Sequence, residues 1–281
     1  MALTHIYRVL AWVACAFVAT HESAAQAPTP QRLEWRVDGV AREALVYAPA
    51  TATTTPAPLV FAFHGHGGSA EQFARSAKMH LAWPEALVVY PQGLKTPGMT
   101  DPEGKKSGWQ NRAGAQDDRD LKFFDAMLAG LHEKFKIDDH RVYSTGHSNG
   151  GGFTYLLWEQ RGEVFAAIGP SSAGTIRVRE ETKPRPLIHI AGATDAIVPI
   201  AFQQRTLSGV RFVNGCDPTG SPWAEHCTVY SSKGGAPVVV CVHPGGHEYF
   251  NQATALIVRF FKEHSKVLES TPAVTPASPT P

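Results

Sequence analysis

The stretch that decides the fold is Arg141-Val-Tyr-Ser-Thr-Gly-His-Ser-Asn-Gly-Gly151, a short β-type run that passes directly into a helical pattern. Gly146, Ser148 and Gly150 fit the G-x-S-x-G pattern, in which a serine occupies a sharp turn between a strand and a helix. The flanking residues are small because such a serine takes a strained backbone conformation that lifts its hydroxyl above the sheet edge. The following helix directs backbone N–H groups and its positive dipole end at that hydroxyl. The pattern predicts a nucleophilic serine, whereas an isolated match also arises by chance.

Strand-type and helix-type segments alternate on both sides of this stretch. Continuous apolar runs, typical of strands buried on both faces of a parallel sheet, occur at residues 58–63, 86–90, 165–169, 186–191 and 238–242. Two alternating segments flank Asp38-Gly39, which is a hairpin signal. These patterns predict an α/β fold with a mostly parallel central sheet, helices on both faces and an antiparallel N-terminal hairpin. Residues 91–116 and 202–232 are interpreted as long loops.

The two ends of the chain differ in composition from the rest. Arg8, an apolar run over 9–18 and the small residues Ser23-Ala24-Ala25 have the pattern of an export signal. The apolar run is shorter than the roughly 20 residues that a membrane span requires. We therefore expect a signal peptide over 1–25, one domain over 26–264 and a disordered Thr/Pro-rich tail over 265–281. The mature protein is expected to be secreted, extracellular or periplasmic, without membrane association.

Net charge limits the kinds of partner. The 281 residues include 26 Lys and Arg against 25 Asp and Glu, a formal charge of +1. This balance does not indicate a polyanion, so no nucleic-acid partner is expected. The sequence does not indicate an oligomeric state.

Three cysteines remain once Cys15 leaves with the signal. In an oxidising compartment they predict one disulfide and one spare thiol. The turn-like segment between Cys227 and Cys241 would place these two opposite each other in a hairpin, so we favour Cys227–Cys241. The rival pairing is Cys216–Cys227. Three scattered cysteines do not predict a metal site.

A serine nucleophile needs a base, and the base needs a carboxylate that orients it. In an arrangement with the chain order Ser, Asp, His, the carboxylate and the base should each follow the carboxyl end of a strand that comes after the serine. Asp195 lies in the small-residue turn after the run at 186–191. His247 is preferred over His243 because Gly245-Gly246 allow the chain to turn back toward the serine. His189 lies inside an apolar run and is interpreted as a buried core residue.

The oxyanion formed by attack on a carbonyl needs two N–H donors. The N–H of Asn149 and the N–H of His66, in the turn after residue 63, are the candidates. The alternative for His64 and His66 is a metal-binding pair, which lacks an evident third ligand. Trp109 and Trp223 are candidate walls of a substrate pocket, and the alternative for Trp109 is that it packs its loop against the domain.

Four motifs together resemble the secreted feruloyl esterases and polyhydroxybutyrate depolymerases: Phe63-His-Gly-His-Gly-Gly68, Gly146-His-Ser-Asn-Gly-Gly151, Ala193-Thr-Asp-Ala-Ile-Val-Pro199 and Gly245-Gly-His-Glu248. The resemblance covers nearly the whole predicted domain, and Ser148, Asp195 and His247 match the triad of that family. It implies an α/β-hydrolase fold and an exported serine esterase that needs neither metal nor organic cofactor. Many relatives also have a cysteine near Ser232, which this chain lacks.

The resemblance implies an ester substrate that is attached to a polymer or is oligomeric. Our first hypothesis is release of hydroxycinnamates from plant cell-wall polysaccharide through a Ser-His-Asp acyl-enzyme. The second is hydrolysis of short-chain hydroxyalkanoate polyester or its oligomers. A third, of another class, is an inactive binding protein on a hydrolase scaffold. An aromatic-lined pocket would favour the first hypothesis and a shallow groove the second.

Overall fold

The computed structural model describes residues 29–266. The predicted signal peptide and all but the first residues of the predicted tail lie outside that range. No helix within the described range is long and apolar enough to cross a bilayer.

Twelve strands and six α-helices alternate along the described chain. The strands are β1 Gln31–Val37, β2 Val40–Tyr47, β3 Ala57–Phe63, β4 Leu87–Pro91, β5 Leu94–Lys95, β6 Ser107–Gly108, β7 Ile137–His147, β8 Ala167–Ser171, β9 Leu187–Gly192, β10 Ser221–Ala224, β11 Cys227–Tyr230 and β12 Val238–His243. The helices are α1 Ala70–Ala77, α2 Met79–Ala82, α3 Arg119–Lys134, α4 Asn149–Arg161, α5 Ile200–Val213 and α6 Ala253–Lys262.

Ten of these strands form one sheet in the order β1-β2-β4-β3-β7-β8-β9-β12-β11-β10. The six strands from β4 to β12 in this order pair in parallel, and the strands at both edges pair antiparallel. The hairpin of β1 and β2 turns at Asp38 and Gly39, which both have positive φ, as a two-residue hairpin turn favours. The predicted α/β-hydrolase fold with its N-terminal hairpin is confirmed.

Each face of the sheet carries its own apolar core. Along β3, Leu59, Phe61 and Phe63 belong to the core beneath α3 and α4, and Val60 and Ala62 belong to the core beneath α1 and α6. This alternation follows from the two-residue period of a strand. All seven residues of β3 are buried, as expected for a central parallel strand.

The region 202–232 is more regular than the sequence predicts. It contains most of α5 and the hairpin of β10 and β11. The inward-facing side of α5 includes the polar residues Gln203 and Thr206 beside Leu207 and Val210. These polar residues interrupt the apolar spacing on which a helix is recognised in sequence.

The disulfide expectation is confirmed. Cys227 of β11 and Cys241 of β12 are register partners and form a disulfide. Cys216 is half-buried and is the free cysteine of the described range. The rival pairing Cys216–Cys227 is therefore wrong.

A buried ion pair joins the N-terminal hairpin to α3. Arg42 Nη2 donates to Asp120 Oδ1 at 2.8 Å, and both side chains are inaccessible to solvent. Asp120 Oδ2 also accepts from Gln110 N at 2.8 Å. Asp120 at the start of α3 thus has a specific partner in Arg42 and also holds the 91–116 loop at Gln110.

Candidate active site

Ser148 lies between β7 and α4 with φ 55° and ψ −120°, a strained conformation for a residue with a side chain. Its N–H donates to Ser171 O of the neighbouring β8 at 2.8 Å. The two motif glycines are required by close approach, because a Cβ on Gly146 would collide with Gly150 O and one on Gly150 with Phe63 O. The sharp turn predicted from the motif is present.

His247 contacts Ser148 on one side and Asp195 on the other. Its Nε2 lies 2.8 Å from Ser148 Oγ, and its Nδ1 lies 2.8 Å from Asp195 Oδ2 and 3.0 Å from Oδ1. His243, the rival base, is instead buried, stacks on Phe250 and accepts from Gly245 N at 3.1 Å. The structure therefore brings together the three residues that the sequence analysis selected.

The carboxylate of Asp195 is fixed by its own turn. Its Oδ1 accepts from the N–H groups of Ile197 at 2.9 Å and Val198 at 2.8 Å, and its side chain is fully buried. The turns after the adjacent strands β9 and β12 are also joined, because Thr194 N donates to Gly245 O at 3.0 Å. The acid and the base thus follow the carboxyl ends of neighbouring parallel strands.

The predicted oxyanion donors come from two segments that meet at Ser148. Gly65, in the turn after β3, lies so close that a Cβ there would be 3.4 Å from Ser148 Cβ. In this turn the N–H groups of Gly67 and Gly68 donate to Ser107 O and Gly65 O. Within residues 29–266, neither the N–H of His66 nor that of Asn149 donates to a turn or loop carbonyl. The N–H groups of His66 and Asn149 therefore remain the predicted oxyanion donors.

The side chains of His64 and His66 hold this turn in place. His64 Nδ1 donates to Gly65 O at 2.8 Å and its Nε2 accepts from Gly93 N at 3.0 Å. Burial lowers the pKa of His64, which favours this neutral form. His66 Nε2 lies 3.2 Å from Asp101 Oδ2. The part of the chain from 29 to 266 contains no group of three His, Cys, Asp or Glu side chains that could hold a metal ion.

Trp109 does not line a pocket, and this expectation is corrected. Its side chain is only 1% exposed, its indole Nε1 donates to His64 O at 2.9 Å, and its ring stacks on Phe153. Its backbone N–H donates to Asn149 Oδ1 at 2.7 Å, and Asn149 Nδ2 donates to its carbonyl at 3.0 Å. Trp109 therefore packs beneath the turn and joins both segments that carry predicted oxyanion donors.

Trp223 lies in β10, the outermost strand on its side of the sheet. Trp223 is half-buried. The guanidinium carbon of Arg259, in α6, lies 4.0 Å from the centroid of the Trp223 ring, and the ring of Phe260 meets it edge-on. These contacts link the sheet edge to α6. Among the described residues, the Trp223 ring packs on α6 and does not contact Ser148, His247 or Asp195, so the structure does not support its assignment to the pocket.

Two polar residues near the triad were not identified from sequence. His147, the first variable residue of the G-x-S-x-G motif, has its ring centroid 5.1 Å from that of His247. Burial, followed by the charge of His247, lowers the pKa of His147 to about 4. Gln203 of α5 donates from Nε2 to Asp195 Oδ2 at 3.2 Å. The motif itself could have indicated His147, whereas a glutamine within an unrecognised helix gives no signal.

A cavity of about 220 Å³ lies at the far end of α4, lined by Trp158, Glu159, Arg179, Glu181 and Lys183 among others. The 13 residues of α4 separate it from Ser148 by about 20 Å. This cavity is therefore not part of the site around Ser148.

Comparison with known proteins agrees with the fold. The model of the esterase PHB depolymerase family matches residues 43–182, which include Ser148 and the turn after β3. The probable feruloyl esterase C of Aspergillus oryzae is 28% identical over 196 residues, covering 68% of this chain and 70% of that protein. The feruloyl esterase D of Neurospora crassa is 30% identical over 157 residues, covering 52% of each chain.

Solved structures agree at the level of the fold. An acetyl xylan esterase from Aspergillus awamori has a TM-score of 0.66 at 14% identity, covering 83% of this chain and 99% of that one. A ferulic acid esterase has a TM-score of 0.59 at 13% identity, covering 83% of this chain and 96% of that one. The chain is a carboxylic ester hydrolase and belongs to the feruloyl esterase and polyhydroxybutyrate depolymerase family of α/β-hydrolases.

Proposed function

We propose that this chain hydrolyses carboxylic esters through an acyl-enzyme formed on Ser148, with His247 as base and Asp195 as its orienting carboxylate. The observation that carries the proposal is the continuous set of contacts from Ser148 Oγ through the His247 ring to the Asp195 carboxylate, with each step at 2.8 Å. A nucleophile, a base and an orienting acid within hydrogen-bond distance are the arrangement that this chemistry requires.

Each group then has a defined role. His247 Nε2 removes the Ser148 proton as Oγ attacks the ester carbonyl carbon, and Asp195 stabilises the resulting imidazolium through Nδ1–H. The N–H groups of His66 and Asn149 hold the oxyanion. When the tetrahedral intermediate collapses, His247 returns the proton to the leaving alcohol. Water activated by His247 then hydrolyses the acyl-enzyme and releases the acid.

For the substrate we favour hydroxycinnamate esters of plant cell-wall polysaccharide. The relatives with matching sequence are named feruloyl esterases C, D and B, and another is named a bifunctional acetylxylan esterase/xylanase. The support lies in these relatives and not in an aromatic pocket, because Trp109 is buried and Trp223 packs on α6. The second candidate, hydrolysis of hydroxyalkanoate oligomers, is favoured by the matching family model.

Secretion is part of the proposal. The Cys227–Cys241 disulfide supports an oxidising compartment, since disulfides are rare in cytosolic proteins. The export pattern over residues 1–25 supports the same destination. Expression in a bacterial host with separate assay of cytoplasm, periplasm and medium tests it. A chain that keeps residues 1–25 and stays cytoplasmic would contradict the proposal.

The substrate is tested by comparing rates of the purified protein on methyl ferulate and on a soluble 3-hydroxybutyrate oligomer, with Ser148→Ala as the blank. We expect the ferulate ester to be preferred. An oligomer preference would replace the first candidate with the second. Absence of turnover on both, together with binding that Ser148→Ala does not alter, would favour a binding protein on a hydrolase scaffold.

A further inference from the structure

A buried row of hydrogen bonds leads from the Asp195 carboxylate into the domain. Gln203 Nε2 lies 3.2 Å from Asp195 Oδ2, and Gln203 Oε1 lies 2.8 Å from His189 Nε2. His189 Nδ1 in turn lies 2.9 Å from the Tyr155 hydroxyl. Gln203, His189 and Tyr155 are all buried.

The chemistry of the partners fixes the direction of every bond. The Asp195 carboxylate and Val198 O, which lies 2.7 Å from Gln203 Nε2, are both acceptors, so the amide NH₂ of Gln203 must face them. Its Oε1 therefore faces His189 and must accept from His189 Nε2–H. The remaining nitrogen of His189 then accepts from the Tyr155 hydroxyl.

The protonation of His189 agrees with this direction. Complete burial lowers the pKa of His189 to about 4, so the ring is neutral near pH 7 and carries a single proton. Burial also raises the pKa of Tyr155, which keeps its hydroxyl protonated as a donor. Every group in the row is thereby satisfied without a buried charge other than Asp195.

The row links three elements of the domain. Gln203 belongs to α5, His189 to β9 and Tyr155 to α4, the helix that begins immediately after Ser148. Apart from the catalytic base His247, the other N–H donors to Asp195 are Ile197 and Val198, which belong to its own turn. Gln203 thus connects the carboxylate to the buried interior of the domain through α5 and β9.

We propose that Gln203 is a positioning residue of the active site, which holds the Asp195 carboxylate against His247 and is itself held by His189 and Tyr155. The proposal rests on the proposed function, in which Asp195 orients the base. Without Gln203 the carboxylate keeps its turn but loses its connection to α5. The base is then less well aligned in the transition state, whereas ester binding is unaffected.

The first test is Gln203→Met, which keeps the length of the side chain and removes its donors and its acceptor. We expect kcat on methyl ferulate to fall about 10- to 100-fold with KM changed less than about 3-fold, because misplacing a catalytic group acts on the chemical step. Gln204→Met, the same change at the exposed neighbouring position, is the control and should leave kcat unchanged. Thermal unfolding of both variants shows whether they are folded.

Gln203→Glu gives a signature that a packing role would not produce. The new carboxyl would face Asp195, Val198 O and His189, and His247 contacts the same Asp195 carboxylate. When the new carboxyl group is protonated, it donates a hydrogen bond to Asp195. When it is ionised, it repels the Asp195 carboxylate, and this repulsion between like charges raises the pKa of the pair. The variant should therefore be active at lower pH and lose kcat/KM as the pH rises, a loss that the wild type lacks over the same range. Because protonated glutamic acid has the same shape as glutamine, the Gln203→Glu variant should fold at low pH, and it tests the proposal even if Gln203→Met does not fold.

The outcomes separate this proposal from the proposed function. If Gln203→Met keeps the wild-type kcat, or if Gln203→Glu follows the wild-type pH profile, Gln203 is not a positioning residue, although the catalytic serine stands. If Ser148→Ala is as active as the wild type, the proposed function itself fails.

Discussion

The indole Nε1 of Trp109 donates a hydrogen bond to the carbonyl oxygen of His64, 2.9 Å away, beneath the turn that carries the proposed oxyanion donor His66. A residue expected to contact substrate thus supports the backbone that would stabilise the transition state. We predict that Trp109→Phe, which retains an aromatic ring against Phe153, lowers kcat about 3- to 10-fold through loss of one hydrogen bond of about 1 kcal/mol.

Steady-state kinetics on methyl ferulate checks this prediction, with Trp223→Phe as the matched control. The control should keep kcat, because the Trp223 ring packs on Arg259 and Phe260 of α6. A raised KM with unchanged kcat in Trp109→Phe would mean that the indole contacts substrate after all.

The buried, neutral His189 makes stability sensitive to acid. Burial lowers its folded pKa to about 4, below the unfolded value of about 6.5. Below pH 6.5 this histidine binds a proton in the unfolded chain but stays neutral in the folded protein. The stability that the neutral, buried ring contributes is therefore complete above pH 6.5 and is lost as the pH falls toward 4. At pH 5 the loss amounts to about 2 kcal/mol.

Urea unfolding at pH 7 and pH 5 measures that loss, and His189→Gln isolates the contribution of this residue. The variant should be less stable at pH 7 but should lose less free energy of unfolding between the two pH values than the wild type. An identical loss in both proteins would mean that His189 is already protonated in the folded state or does not titrate in this range.

The ion pair of Arg42 and Asp120 should contribute strongly to the stability of the fold. Because both side chains are inaccessible to solvent, Asp120→Asn leaves the guanidinium without its counter-charge. We predict a loss of about 3 to 5 kcal/mol in the free energy of unfolding, measured by urea denaturation. The exposed pair of Lys122 and Asp38 is the control: Lys122→Met should change stability by less than about 1 kcal/mol. Equal effects at the two pairs would show that burial does not govern the cost.

The free Cys216 has a ready partner position. Cys216 and Ser232 face each other in an isolated antiparallel bridge, so Ser232→Cys should form a second disulfide. Closing a loop of this size should stabilise the protein by about 3 kcal/mol. A reductant should remove this stabilisation, and it also reduces the Cys227–Cys241 disulfide. Thermal unfolding and thiol counting check it, with Ser231→Cys as the out-of-register control. A free thiol at both positions after oxidation would contradict the prediction.

The sequence predicted the local structural motifs and the succession of strands and helices well. The G-x-S-x-G turn, the apolar run of β3 and the Asp38-Gly39 hairpin each depend on neighbouring residues only, and the structure contains all of them. Asp195 and His247 could be placed because both follow the carboxyl ends of strands, and parallel strands bring these ends to one edge.

The remaining features depend on contacts between distant segments. Trp109 lies in an irregular loop, so no periodicity indicates its burial, and Gln203 lies in a helix whose inward side is partly polar. Their hydrogen-bond partners, His64 and His189, are 45 and 14 residues away along the chain. Only the folded structure brings these pairs together.

The central claim is that Ser148 is the nucleophile and His247 its base. Incubation with an organophosphonate that labels activated serines, followed by intact mass and peptide mapping, tests it directly. We predict one label per chain, located on Ser148, loss of methyl ferulate hydrolysis in proportion to labelling, and strongly slowed labelling in His247→Ala. A label on another residue, or full activity after Ser148 is labelled, would contradict the claim.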